Sequence, residues 1–337
     1  MLDGVYRVTG SVDHPNSLSM YLCMAGPVLV AAATSNLPKF VRYFSMISIG
    51  FATVTILLTV SRAGIPIFAM VMLTTTALCV SWRITPKKLA TAIVIGLVLS
   101  GLVFKSWDTI KSRFFEATLE QEYLEENTEN RGMYLRQAKV IIADRIFGVG
   151  LNNWSYWVSK AYGAKLGFVY EDYDDLDYVP SKEILSNINY AAPAHNLAAL
   201  TTGELGMAGL LVFALIWLRW FQMGKRFLWN RSPEAMQRLG TGFFLAIGGV
   251  FLQSLTEWVY RQTQILLTFN VVVGALASLY YVKRKQVRRR VVLPLLLAML
   301  ANLYDALRRK PAPLKPQPLT LPENDQAQRE PTPLESS

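Results

Sequence analysis

Charge is scarce in this chain. Asp, Glu, Lys and Arg make up 17% of its 337 residues, against 52% that are apolar. That is too little charge for an ordinary soluble domain of this length. Cysteine is scarcer: Cys23 and Cys79 are the only two. Both fall inside apolar runs, so no disulfide is expected. The only histidines are His14 and His195. Two histidines and two distant cysteines cannot build a usual zinc site, so no metal is expected. The chain has no GxxxxGK[ST] run and no Rossmann glycine fingerprint, so no nucleotide site is signalled. A serine triad finds no convincing partners, and no internal repeat is evident. The N-terminus lacks the basic head and short apolar core of a signal peptide.

Long apolar runs are what the chain does have. A bilayer core needs about 20 such residues per helix. Seven stretches qualify: 17–34, 42–60, 65–82, 88–106, 196–219, 239–257 and 264–282. Backbone facing lipid must satisfy its own hydrogen bonds, so these are expected as helices. The predicted fold class is all-α, a polytopic transmembrane helical bundle. Basic residues set its orientation, because short cytoplasmic loops collect Lys and Arg. Lys39 and Arg42, then Arg83, Lys87 and Lys88, then Arg219, Lys225, Arg226, Arg231 and Arg238, and finally "KRKQVRRR" over Lys283–Arg290 occupy alternate connections. One topology satisfies them all. It puts residues 1–16, the turn at Arg62, the segment 107–194 and the turn at Arg261 on the outer side. The net charge of +10 is then cytoplasmic anchoring against anionic headgroups, and no nucleic acid is called for.

The chain divides accordingly into 1–106 (first membrane helices), 107–194 (a helical extracytoplasmic cap), 195–282 (later membrane helices), 283–310 (a basic cytoplasmic segment) and 311–337. Residues 291–307 are short for a span and flanked by basic residues, and are expected as an interfacial helix. From 311 the composition is that of a disordered tail. Met1 leads directly into "VDHPNSLSMYL", which gives the expectation that further helices belong upstream.

The cap and the helix ends hold the polar groups of interest. "ENRGMYLRQAKVIIADR" reads as an amphipathic helix with Arg131, Leu135, Ala138 and Ile142 on one face. "FGVGLNNW" breaks it, and Trp154, Tyr156 and Trp157 follow, as in a segment touching the interface or a sugar. The acidic "YEDYDDLDY" lacks the Gly and terminal Glu of a calcium loop and reads as solvated. Arg62, in "TVSRAGIPIF", sits between two spans on the side that basic residues avoid. An Arg there is a functional candidate, and its planar fork suits a diphosphate. Arg131 and Arg136 could add positive charge. His195 begins an apolar helix. Neutral imidazole accepts a proton near neutral pH. Asn196, Glu204 and several glycines follow on the same helix. His14, in "DHPNS", is accounted for as a helix start.

From about Phe44 to Phe213 the chain resembles the O-antigen ligase and polymerase superfamily of bacterial membrane enzymes. The resemblance rests on "SRAG" at a helix end, "NRGMYLRQAKVIIADRIFGVGLNNW" in the long loop, and "HNLAALTTGELGMAGLLVF" after it, in that order, with "DHPN" ahead of the first span. It departs from the family pattern in the run "DRIFGVG", which lacks a proline before the glycines, and in the number of helices.

The resemblance implies a ligase-like glycosyltransferase of the cytoplasmic membrane that needs no metal, nucleotide or other cofactor. Its donor would be an undecaprenyl-diphosphate-linked glycan, and its acceptor a hydroxyl on a glycan, lipid or protein. Carried over by position, Arg62 and Arg131 would hold the diphosphate, and Arg136, the further cation of the cap, is a candidate to join them. His195 would act on the acceptor hydroxyl or position it, and Asn196 and Glu204 would support the site. The alternatives are a polymerase of the same superfamily, a transporter, and an inactive fragment or partner subunit. Transport wants polar residues through the middle of the membrane, and the predicted spans carry little beyond Ser, Thr and Gln253.

Overall fold

The computed structural model describes residues 7–12, 14–80, 131–168, 170, 191–228, 232–259 and 262–308, with scattered positions between 85 and 111. Among them the regular elements are all helical. They are α1 (Pro15–Thr34), α2 (Lys39–Thr59), α3 (Gly64–Cys79), α4 (Arg131–Asp144), α5 (Leu197–Gly224), α6 (Ala235–Ser254) and α7 (Thr263–Arg308), with short helical turns between Trp154 and Leu166. The all-α expectation holds. Five segments are long and apolar enough to cross a membrane: α1, α2, Leu197–Phe227, α6 and Thr263–Val287. The third expected span appears as α3, an apolar helix of 16 residues. The expected span 88–106 and the acidic "YEDYDDLDY" lie wholly or largely outside the described residues. A first compact unit ends at Lys283 and a second begins at Arg284. Residues 291–307 are helical, as part of α7.

Within the first unit α1 packs against α2, α3 and α6. Its start is fixed by His14, whose backbone is extended (φ −139°, ψ 142°) and whose Nδ1 accepts the backbone N–H of Asn16 at 3.1 Å. Pro15 follows, in the first turn where its missing N–H costs nothing. Met20 and Met24 of α1 meet Ile247 and Val250 of α6, Phe269 and Leu276 of α7, and Trp217 of α5 in one apolar core. Both cysteines are free and buried.

The two ends of this bundle differ. At one, Asn36 accepts the N–H of Ala235 (2.8 Å) and donates its own to Pro233 (2.8 Å), tying the α1–α2 turn to the start of α6. Lys283 donates there to Gln237 (2.7 Å) and to the carbonyl of Arg226 (3.0 Å). The opposite end collects the start of α1, the α2–α3 turn, the start of α5 and the end of α6.

The middle of α5 is broken. Gly206 has φ 68° and ψ −165°, a backbone state reserved for glycine. The break frees carbonyls that the "FGVG" loop takes up. Val149 donates to the carbonyl of Gly203 (2.9 Å) and Gly150 to that of Glu204 (2.9 Å), while Met207 donates back to Ile146 (3.2 Å). Burial leaves such groups no water, so this exchange is what makes the break tolerable. A Cβ on Gly148 would stand 2.4 Å from the carbonyl oxygen of Glu204, and one on Gly206 2.1 Å from that of Ile146. The two glycine motifs are thus the two halves of one contact.

Two sequence expectations change here. α4 forms as predicted, but its buried stripe runs through Met133, Gln137, Ala138 and Ile141, while Leu135 is 41% exposed. The helix is rotated because Ile141 and Ala138 pack on Trp154 and Leu200. Trp154 is no surface aromatic: it is 1% exposed, and its ring fills the space that a side chain at Gly203 would need.

Gly206→Ala should lower thermal stability by about 2 kcal/mol or more, from strain and collision together. Gly248→Ala, where a Cβ meets nothing within 4 Å, should be neutral or slightly stabilising; thermal melts of both in one detergent check this. The His14 cap needs a neutral Nδ1. Partial burial, then the charge of Arg7, hold its pKa below the ordinary 6.5, with Glu257 opposing and His195 adding to the depression. The unfolded chain therefore binds the proton more readily, and stability falls as pH drops below about 6.5. His14→Asn, which keeps an uncharged cap, should flatten that acid limb in pH-dependent melts.

Candidate active site

The site forms around a carboxylate that sequence reasoning passed over. Glu257 follows the end of α6, and its side chain is only 7% exposed. A carboxylate so placed costs several kcal/mol unless partnered. Both of its oxygens have partners. Oε1 accepts from Asn16 Nδ2 at 2.7 Å and lies 3.8 Å from Arg131 Nη2; Oε2 lies 2.9 Å from His195 Nδ1. Four separate segments meet at this one group.

His195 stands just ahead of α5 with its side chain 38% exposed. A carboxylate at Nδ1 fixes that nitrogen as the N–H donor, which leaves Nε2 with its lone pair free to accept a proton. The ring lies 5.8 Å from that of Tyr134 and 6.4 Å, edge-on, from that of Trp258. Asn196 anchors it from behind. As N-cap of α5 it accepts the N–H of Ala199 at 2.9 Å, and its Nδ2 donates to the carbonyl of Leu255 at 2.9 Å. The N-cap preference of Asn explains the first bond. The second ties the start of α5 to the end of α6, so His195 and Glu257 are held in register.

Asn16 is fixed in turn. Its Oδ1 accepts from Arg7 Nη2 (3.1 Å) and from Ser61 Oγ (3.2 Å). Arg7 also donates to the carbonyl of Thr59 at 2.8 Å, and Ser61 caps the turn into α3 by accepting the N–H of Gly64 at 3.2 Å. The SRAG turn thereby reaches the site through its serine. Beside these groups opens a cavity of about 480 Å³, whose walls include His14, Ser17, His195, Glu257, Trp258 and Gln264. That volume is in the range of small-molecule sites.

Of the residues expected from sequence, the structure brings His195, Asn196 and Arg131 together. Arg62 follows Ser61 directly and is half-buried, and Arg136 is half-buried on α4. Neither of these, nor Arg131, lines the cavity among the described residues. Glu204 is buried at the break in α5, nine residues and roughly 13 Å along the helix from His195. Its backbone takes part in the loop contact. Sequence reasoning missed Glu257, Asn16, Ser61 and Arg7. Glu257 carried a usable signal: an acidic residue at the edge of an apolar span is expensive and calls for a stated role.

The O-antigen ligase family model matches residues 47–214, from within α2 to within α5. A comparison with curated proteins and one with solved structures each return no match. The matched stretch carries the SRAG turn, α4, the glycine loop that docks on the break, and the His-Asn start of α5. With these parts in this order on apolar membrane helices, the chain belongs to the O-antigen ligase family.

Proposed function

We propose that this protein is a ligase-like glycosyltransferase that moves glycan from an undecaprenyl-diphosphate donor to an acceptor hydroxyl at the outer face of the cytoplasmic membrane. The observation that carries the reading is the meeting of His195 and Arg131 at Glu257, beside an open cavity. A proton acceptor and a guanidinium are the two groups that this transfer needs. The acceptor oxygen attacks the anomeric carbon and its proton passes to His195 Nε2. The bond from that carbon to the phosphate oxygen breaks, and its electron pair leaves with the diphosphate. Arg131, with Arg136 on the same helix and Arg62 from the turn into α3, holds the leaving group. Fixed guanidinium groups stabilise charge as it develops and take the part that a divalent cation plays elsewhere. Asn196 keeps His195 in place. Glu204 supports the site from a distance, through the loop contact.

A polymerase would use the same chemistry on another repeat unit as acceptor. Transport receives less support: the described polar network lies at one end of the bundle, where surface chemistry would be carried out.

In membranes supplied with an undecaprenyl-diphosphate-linked glycan, undecaprenyl diphosphate should be released only when an acceptor is present, and equally well with a chelator. The acceptor that works separates ligase from polymerase. Acceptor-independent release, or none, from folded protein would defeat the reading. His195→Ala should lower the rate by about 10²–10⁴-fold, the usual worth of a general base. Arg62→Lys keeps the charge and loses the fork; it should weaken donor affinity about tenfold, or about 1.4 kcal/mol, in a titration with donor. Unchanged affinity would make Arg62 an anchor to headgroups instead.

A further inference from the structure

We infer that Glu257, itself locked by Asn16, is a positioning residue that fixes the tautomer of His195 so that Nε2 is the proton acceptor. The role rests on the proposed glycosyl transfer for its purpose, but its geometry stands apart from it. Glu257 Oε2 is 2.9 Å from His195 Nδ1, and Asn16 Nδ2 donates to Oε1 at 2.7 Å. The carboxylate therefore cannot swing away from the imidazole without abandoning a second buried partner. Asn16 has no freedom to turn its amide over either, because its Oδ1 already accepts from Arg7 and Ser61. The order of donors and acceptors is thus set along the whole chain Arg7–Asn16–Glu257–His195. It ends by requiring an N–H at His195 Nδ1. The charged and titratable groups facing the pair are Arg131 from α4, with Tyr134 on the same helix, and His14 at the start of α1. The carboxylate also faces the charge that His195 acquires when it takes the acceptor proton, and so stabilises the imidazolium it has helped to form.

The same chain predicts what an amide would do. In Glu257→Gln the Asn16 amide N–H still demands an acceptor, so the Gln oxygen turns toward Asn16. Its NH₂ then faces His195 Nδ1, which must accept. The imidazole is forced into the other tautomer, with the proton on Nε2, where it can no longer act as base. Glu257→Asp keeps an acceptor and shortens the reach by one methylene.

The chain has only two histidines, which makes the test clean. Full-length protein labelled with ¹⁵N-histidine is examined by NMR in detergent at mildly alkaline pH. His14→Asn assigns the signals. The expected wild-type pattern is a protonated Nδ1 and an unprotonated Nε2 at His195, reversed in Glu257→Gln and restored in Glu257→Asp. A wild-type Nε2–H tautomer, or no reversal in Glu257→Gln, overturns the inference. Kinetics supply the second arm. Glu257→Gln should lower kcat about 100-fold or more while donor KM stays within about threefold, and Glu257→Asp should recover part of the loss. In the His195→Ala background Glu257→Gln should cost nothing further, since it acts through the imidazole. Losses that multiply would mean a structural role and overturn the inference. The expected tautomers in a protein that releases no undecaprenyl diphosphate would uphold the positioning role and defeat the glycosyltransferase reading.

Discussion

A buried carboxylate has to be answered, and in this protein the answer organises one end of the bundle. Glu257 is 7% exposed, and removal of its charge from water is costly without compensation. The compensation comes from Asn16 at the start of α1, from Arg131 at the start of α4 and from His195 ahead of α5. Each sits at a helix end, where side chains project past the apolar packing. Drawing them to one point fixes how α1, α5 and α6 meet. The cavity beside them, with its mixed walls of Trp258, His14 and Gln264, exists because these ends are held and not splayed.

The second constraint is polar as well, but it lies in the backbone. A helix broken in an apolar setting must find new partners for its carbonyls. α5 finds them in the N–H groups of Val149 and Gly150. This ties the loop after α4 to α5, and with it the helix that carries Arg131. Arg131 reaches Glu257 from one end of α4, and the loop docks from the other. The family match over residues 47–214 contains this whole contact. Asn16 and Glu257 lie outside it, so the partner that His195 leans on is supplied by flanking helices.

Much of the fold was legible because the bilayer leaves few options. Apolar length called for membrane helices, and among the described residues five helices are long and apolar enough to cross a bilayer. His195, Asn196 and the glycine motifs were legible as local patterns: a cap, a turn, a break. The departures are tertiary. The face that α4 buries depends on Trp154 and Leu200, which its own periodicity cannot reveal. Glu257 meets Asn16 across 241 residues, and no local pattern records such a pairing. Glu204 lies on the helix that His195 leads into, and helical rise places it at the break, where its backbone joins the loop contact.

The break in α5 also has a mechanical meaning. A helix that crosses a bilayer tilts to match its thickness, and tilting displaces the ends. In an unbroken helix, His195 would move with every such adjustment. At Gly206 the rod becomes two pieces. The shorter one, bearing His195, is fastened to the "FGVG" loop and, through Asn196, to the carbonyl of Leu255. The longer piece starts from the same loop, where Met207 donates to Ile146, and continues in its own direction. The break thus lets the imidazole's 2.9 Å bond be set by the loop and the end of α6, and not by one straight rod running through the bilayer.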